Sequence, residues 1–262
     1  SMYDFSFVKP GTVADAVTAL ASEDAQALGG GQTLIPTMKQ RLASPAKLVS
    51  LTGIADMQGV SQSGGVLSIG GATTHAAVSA QAGGFAGLAA LAGGIGDPAV
   101  RNRGTIGGSL ANNDPAACYP SAALATGATI VTNTREIAAD DFFQGLFETA
   151  LDEGEIITAV HMPIPEASNY QKFEQPASRF ALVGVFVAKY ASGVRVAVTG
   201  ASEGGVFRWS EAEAALGANF SPDAVSGLSV APGDMIEDLH GSKAYRAHLV
   251  KVMTSRAVAA AG

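Results

Sequence analysis

Two glycine runs carry the most legible chemistry in this 262-residue chain. One is Leu28-Gly29-Gly30-Gly31-Gln32-Thr33-Leu34-Ile35, and the other is Thr105-Ile106-Gly107-Gly108-Ser109, which follows Arg101-Asn102-Arg103-Gly104. Each is a glycine cluster closed by a hydroxyl residue. Glycine lets main-chain N–H groups approach a ligand closely because no Cβ intervenes. Successive inward N–H groups form an anion-binding nest, and a helix beginning behind the nest strengthens it. Two such turns from distant parts of one chain point to a cradle for a diphosphate, and hence to a dinucleotide. Neither run has the G-x-G-x-x-G spacing of a nicotinamide-binding fold, and no G-x-x-x-x-G-K-[ST] is present.

Other chemistries find little support. The histidines, His75, His161, His240 and His248, have no metal-ligand spacing and read as surface or internally satisfied residues. The single cysteine, Cys118, cannot form an internal disulfide, a zinc cluster or an iron–sulfur cluster by itself. No nucleophile turn accompanies a histidine and an acid. Sixteen basic against 23 acidic residues leave a net charge of −7, which disfavours a polyanionic partner. There is no apolar run long enough to span a bilayer and no leader-like N-terminus, so the expected location is cytoplasmic.

The elements that must position the turns follow from apolar periodicity and punctuation. Thr12 caps a helix over 13–21, 25–28 is a buried strand running into the first turn, Thr33 caps a helix to Arg41, and 47–51 is a strand. Together these make a small β–α–β–α–β unit. Next come a strand at 66–69, a helix from Thr73 or Thr74 to Ala80, and a small-residue helix over 85–92. Both glycine turns are expected to follow strand-like segments. Further on, 120–125 is helical, 129–132 a strand, 142–150 a short element, and 156–161 a strand ended by Met162-Pro163. The last third has strands at 180–190 and 194–201 around a hairpin turn at 191–193, and 206–208 continues the meander. Ser210 caps a helix to Leu216, next to Trp209 packed among the C-terminal elements. A long helix over 242–261 places Tyr245, Leu249, Val252 and Met253 on one face.

The two glycine runs with their flanks, Asn112-Asn113-Asp114-Pro115-Ala116-Ala117, Asn169-Tyr170-Gln171-Lys172-Phe173 and Gly241-Ser242-Lys243-Ala244-Tyr245-Arg246-Ala247-His248-Leu249 together resemble the FAD-binding medium subunit of molybdenum hydroxylases, the carbon monoxide dehydrogenase and xanthine dehydrogenase relatives. The resemblance covers nearly the whole chain. It implies an α+β flavoprotein: two α/β FAD-binding subdomains of the PCMH type, over 1–57 and 58–165, and a C-terminal domain over 166–262 with a three-stranded antiparallel sheet and helices. Residues Leu28 to Ile35 would form the first pyrophosphate loop and Thr105 to Ser109 the second. Ile157 would meet the flavin through its backbone. Lys172 would lie near the pyrimidine end of the ring, and Phe180 against the ring.

One position departs from the pattern: Cys118 stands where many relatives have an aspartate that contacts the cofactor. Either that contact is lost, Asp114 compensates, or the main chain supplies it. The resemblance further implies an electron-transfer subunit within an oxidoreductase. A large partner would carry the molybdenum cofactor and a small partner the [2Fe–2S] clusters, in a doubled heterotrimer, with an external acceptor taking electrons from FAD. The competing classes are a stand-alone FAD-dependent oxidoreductase of the same general fold, and an interaction module whose glycines only shape turns.

Overall fold

A computed structural model describes all residues from Ser1 to Gly262. The chain opens with β1 (Ser6–Val8), α1 (Val13–Leu20), β2 (Ala25–Leu28), α2 (Leu34–Lys39) and β3 (Lys47–Ser50). The strands form a parallel sheet in the order β1-β3-β2, as two helical crossovers require. Thr12 caps α1, its Oγ1 accepting from the Asp15 N–H at 3.1 Å. Thr33 does not cap α2: its backbone is already helical and its hydroxyl makes no cap bond. The helix also ends at Lys39, two residues earlier than Arg41.

The middle of the chain forms β4 (Val60–Ser63), β5 (Val66–Gly70), α3 (His75–Gln81), α4 (Ala86–Gly93), α5 (Pro98–Arg101), α6 (Ile106–Asn112) and α7 (Tyr119–Ala125). It continues through β6 (Thr129–Thr132), β7 (Glu136–Ala138), α8 (Ala139–Phe142), the small hairpin β8 (Phe143–Gly145) with β9 (Glu148–Thr149), and β10 (Ile157–Pro163). An antiparallel sheet in the order β4-β5-β10-β6-β7 packs under the helices. Three expectations are corrected here. The second glycine run follows helix α5, not a strand, because Asp97 caps that helix and Pro98 opens it. The 142–150 segment divides between α8 and the β8–β9 hairpin. β10 also runs through Pro163, which pairs with Val66 of β5, whereas its pairing with β6 ends at His161 opposite Thr129. Proline is tolerated there because only one neighbour remains.

The remainder comprises β11 (Ala167–Glu174), β12 (Ala181–Tyr190), β13 (Gly193–Thr199), β14 (Phe207–Arg208), α9 (Ser210–Ala218) and α10 (Lys243–Ala260). These strands form one antiparallel sheet in chain order. It has four strands rather than three, because β11, polar along much of its length, pairs with β12 from Ala167↔Lys189 to Glu174↔Ala181. Every residue of β12 from Ala181 to Ala188 is buried. Val183, Val185 and Val187 face a core with Leu249, Val250 and Met253 of α10. Phe186 and Ala188, on the alternate face, join the core of the middle segment with Leu88, Leu91 and Tyr119. Trp209 is buried in the C-terminal core and precedes α9, so Ser210 is the first helical residue and not the cap. Ser242 caps α10, accepting from the Tyr245 N–H. Leu249 and Met253 lie inward, but Tyr245 is exposed and meets Phe173 edge-on.

Candidate dinucleotide site

The second glycine run is strapped to the segment after β5. Gly107 N–H donates to the Gly71 carbonyl at 2.9 Å, Ile106 N–H to Thr73 at 3.1 Å, and His75 N–H to Gly104 at 2.9 Å. A Cβ on Gly107 would run into the Gly71 carbonyl. Thr105 caps α6, its hydroxyl accepting from Gly108 N–H at 3.1 Å. Most main-chain donors of this run are therefore engaged within the chain, and the expected nest is absent there. The first run differs. From Gly29 to Leu34, none of six successive main-chain N–H groups has an acceptor in the chain. Gly31, at φ +71°, supplies the left-handed turn that breaks away from β2.

The two runs touch each other. A Cβ on Gly30 would collide with the Arg103 carbonyl, and one on Gly29 would stand 2.8 Å from the Thr105 hydroxyl. These glycines allow loop to pack on loop. Gly108 is different: it is exposed, and a Cβ there would meet only the Thr105 hydroxyl at 3.0 Å. Arg101 is structural, its guanidinium donating to the carbonyls of Ile95 and Gly96.

Both runs line one cavity of about 940 Å³. Its wall begins at Ala25–Leu28 in the first sheet, crosses the two runs, and reaches Ile157, Cys118, Lys172 and Phe180. All the sequence-derived site residues line it except two. Ile35 instead packs against Gly31 and lines a smaller neighbouring hollow with Lys39 and Arg103, and Ile106 is fully buried in the core beneath the second run.

The far end is organised around a buried cation. The Lys172 side chain is only 7% exposed, which sets it apart from a solvated lysine. Its Nζ donates to the carbonyls of Gly94 at 2.8 Å and Arg179 at 2.9 Å, and lies 3.7 Å from Cys118 Sγ. Glu174, half exposed, is a loose counter-charge at 3.7 Å. Burial pushes the Cys118 thiol up, more than the neighbouring ammonium pulls it down, so Cys118 is a neutral thiol. Asp114 accepts from the Ala116 N–H at 2.8 Å within its own turn while lining the cavity. Phe180 is 55% exposed on the rim, and no core packing explains it. Ile157 is buried, and its carbonyl packs against Gly71 where a Cβ would not fit.

Sequence reasoning missed two parts of the wall. The loop from Glu153 to Ile156 borders the cavity, held by Glu155. That carboxylate accepts from Thr132, Thr134, Arg135 and the Asp152 N–H. His75 is the second part, and it is neither at the surface nor satisfied: it is 5% exposed, lines the cavity, and its Nδ1 has no partner. Burial, aided by nearby Arg101, lowers its pKa to about 4, so the imidazole is neutral.

A long cavity with an unpaired N–H loop at its centre and a buried ammonium at one end defines a dinucleotide-binding α+β protein. Comparison with known proteins sharpens the class. Residues 3–165 match the family described as the FAD binding domain in molybdopterin dehydrogenase. The chain is 34% identical to the nicotine 6-hydroxylase medium subunit of Paenarthrobacter nicotinovorans, over 98% of this chain and 96% of that protein. It is 31% identical to the carbon monoxide dehydrogenase medium chain of Hydrogenophaga pseudoflava, over 98% of this chain and 96% of that one. Among solved structures, reconstituted CO dehydrogenase from Oligotropha carboxidovorans superimposes with a TM-score of 0.89 at 30% identity, covering 99% of this chain and 98% of that chain. The chain belongs to the FAD-binding family of molybdopterin dehydrogenases, and it is the FAD-binding part of an oxidoreductase. No helix is long and apolar enough to cross a membrane.

Proposed function

We propose that this chain is the electron-relaying medium subunit of a molybdenum hydroxylase. It would receive electrons from [2Fe–2S] clusters on a small partner and deliver them to an external acceptor. Substrate oxidation would take place at a molybdenum cofactor on a large partner, in a doubled assembly of three subunit types. Within the chain, residues 1–57 and 58–165 are the two FAD-binding parts, and 166–262 form the part that closes the ring end.

The observation that carries this reading is the continuity of one cavity from the six unpaired N–H groups of Gly29–Leu34 to the buried Lys172 ammonium. The residues fit FAD. A diphosphate supplies acceptors to donors that are otherwise unsatisfied, and a cation at the ring end favours the electron-rich form of the ring. FAD supplies electron uptake and release in single or paired steps. The protein binds and orients it: the first loop takes the diphosphate, Thr105, Gly108 and Ser109 form the facing wall, and Ile157, Lys172, Asp114 and Cys118 surround the ring end. Phe180 covers the ring from the rim. No side chain is assigned as an acid or base for substrate turnover.

The test has two stages. The purified chain, titrated with FAD, is expected to show a perturbed flavin spectrum and saturable binding; a chain that refuses FAD overturns the reading. Loaded chain is then mixed with a series of small-molecule donors, with and without the co-expressed partner subunits. Flavin reduction only when partners are present supports the relay. Fast reduction of the isolated chain would mark it as a stand-alone flavoenzyme.

A further inference from the structure

His75, which by sequence reads as a surface or internally satisfied residue, is buried in the cavity wall. His75 is tied to the second glycine run, since its N–H donates to the Gly104 carbonyl at 2.9 Å. Its ring lies against Gly104, with Nε2 only 2.5 Å from where a Cβ on that residue would stand. On the other side it packs on Tyr119, ring centroids 5.2 Å apart and planes inclined at 49°. Tyr119 follows Cys118, whose sulfur touches the Lys172 ammonium. The imidazole therefore bridges from the phosphate-loop region to the ring end, within the wall of the same cavity.

Its hydrogen bonding is incomplete in a specific way. Nδ1 is buried with no partner, whereas Nε2 is not among the buried unpaired atoms. An isolated N–H costs more to bury than an isolated lone pair. The single proton of the neutral ring therefore belongs on Nε2, leaving Nδ1 as a bare acceptor. A neutral N–H donor serves a hydroxyl or a phosphate oxygen alike, so it is the ring's place that decides. It stands between the second glycine run and the Tyr119–Cys118 end, and the stretch of a flavin dinucleotide between diphosphate and ring is a chain of hydroxyls.

We propose that His75 is a cofactor-binding residue, its Nε2–H donating to a hydroxyl of the ribityl linker as the cofactor passes from the glycine loops to the Lys172 end. The inference rests on the FAD reading above and extends it to the linker. Gly104 then has a second reason to be glycine: any side chain would push the imidazole out of line.

The test couples the protein group to the ligand group. Dissociation constants of the full-length wild type, His75→Leu and His75→Gln are measured for FAD and for FAD analogues each lacking one ribityl hydroxyl. His75→Leu is expected to weaken FAD binding roughly tenfold, in line with the loss of one hydrogen bond that leaves a ligand hydroxyl unpaired. His75→Gln, which keeps a polar group near the Nε2 position, should recover most of that loss. One analogue should bind wild type about tenfold more weakly than FAD yet bind His75→Leu no worse than FAD does. Circular dichroism and melting of each variant separate misfolding from a lost contact. Equal FAD affinity in His75→Leu, or losses that add at every hydroxyl, would overturn the inference while leaving the FAD reading intact. A wild-type chain that binds no flavin would overturn both.

Discussion

Gly30 and Gly108 belong to one site for opposite reasons, and a pair of substitutions separates them. Gly30 has no room for a Cβ because the Arg103 carbonyl is there, so Gly30→Val should force the two loops apart. Its cost should resemble overpacking, about 2–3 kcal/mol, and show in the melting temperature as well as in FAD affinity. Gly108 opens to the cavity, so Gly108→Leu should weaken FAD roughly a hundredfold, a loss near 3 kcal/mol, with melting of the cofactor-free chain nearly unchanged. If Gly108→Leu bound FAD normally, the cofactor would not pass along that face. Lys172 makes a third case. Two of its bonds hold the carbonyls of Gly94 and Arg179 and only the loose 3.7 Å contacts face elsewhere, so the charge is positioned by the rims it joins. Removing it as Lys172→Met should lower the flavin potential by about 30–60 mV, the equivalent of one charge-assisted contact in a two-electron couple. A potential unchanged in that variant, measured by dye equilibration, would take Lys172 away from the ring.

Two elements that border the cavity also set how the fold responds to acid. The loop before β10 is held by Glu155, whose carboxyl drops from an ordinary 4.5 to about 2, first because of the Arg135 hydrogen bonds and then those from Thr132, the Asp152 N–H and Thr134. The unfolded chain takes up that proton first, so this contribution is complete above pH 4.5 and fades between 4.5 and 2. His75, at the start of α3, has its pKa lowered from 6.5 to about 4. Here too the unfolded chain protonates first, and stability falls between pH 6.5 and 4 by on the order of 3 kcal/mol. Urea midpoints measured across pH should therefore decline in two windows, with His75→Gln flattening the upper and Glu155→Gln the lower; a His75→Gln chain with an unaltered upper slope would contradict the buried neutral imidazole. Elements with local signals were legible in the sequence: the Thr12 cap, a helix start at Thr73 or Thr74, the long C-terminal helix, and the apolar run of β12. β11 was not, because its polar residues sit in a strand only by virtue of pairing with β12, and of them Lys172 alone reaches the cavity. Thr33 misled because a hydroxyl before a helix caps it only when its own backbone is extended. His75 was invisible as a site residue because its partners, Gly104 and Tyr119, are far along the chain and nothing in the spacing announces them.

At the scale of the whole molecule, the three main sheets are unequal, and the cavity lies where that inequality matters most. The middle and C-terminal sheets share extensive cores, joined through Phe186 against Phe85. The first sheet has a smaller one, which it shares with the chain beyond it. Of the seven buried residues in the core beside it, Ala16, Leu20 and Val49 come from the β1–β3 unit and Ile54, Met57, Ala72 and Ile156 from beyond it, with Val8, Val13 and Val17 packed half-buried against them. Met38 and Leu48 of the unit are buried outside that core. A unit of this size, whose core is completed by residues outside it, is marginal by itself. Its attachment runs through that shared core and through Gly29 and Gly30 packed on the second run, the contact that also shapes the cavity. A dinucleotide laid between them would contribute bonds to the six free N–H groups and tie the weak unit to the strong one. Ligand at a hundred times its dissociation constant adds about 2.7 kcal/mol to whatever opening exposes the site, and that gain should appear where the fold is weakest. Hydrogen exchange on the cofactor-free chain is accordingly expected to run fastest through β2, β3 and α1, with β12 and α10 the slowest. Saturating FAD should slow exchange in β2 and β3 roughly a hundredfold and leave β12 unchanged. Protection spread evenly over all three sheets would mean that they open as one unit, and the cavity would then be a preformed slot whose stability owes nothing to what fills it.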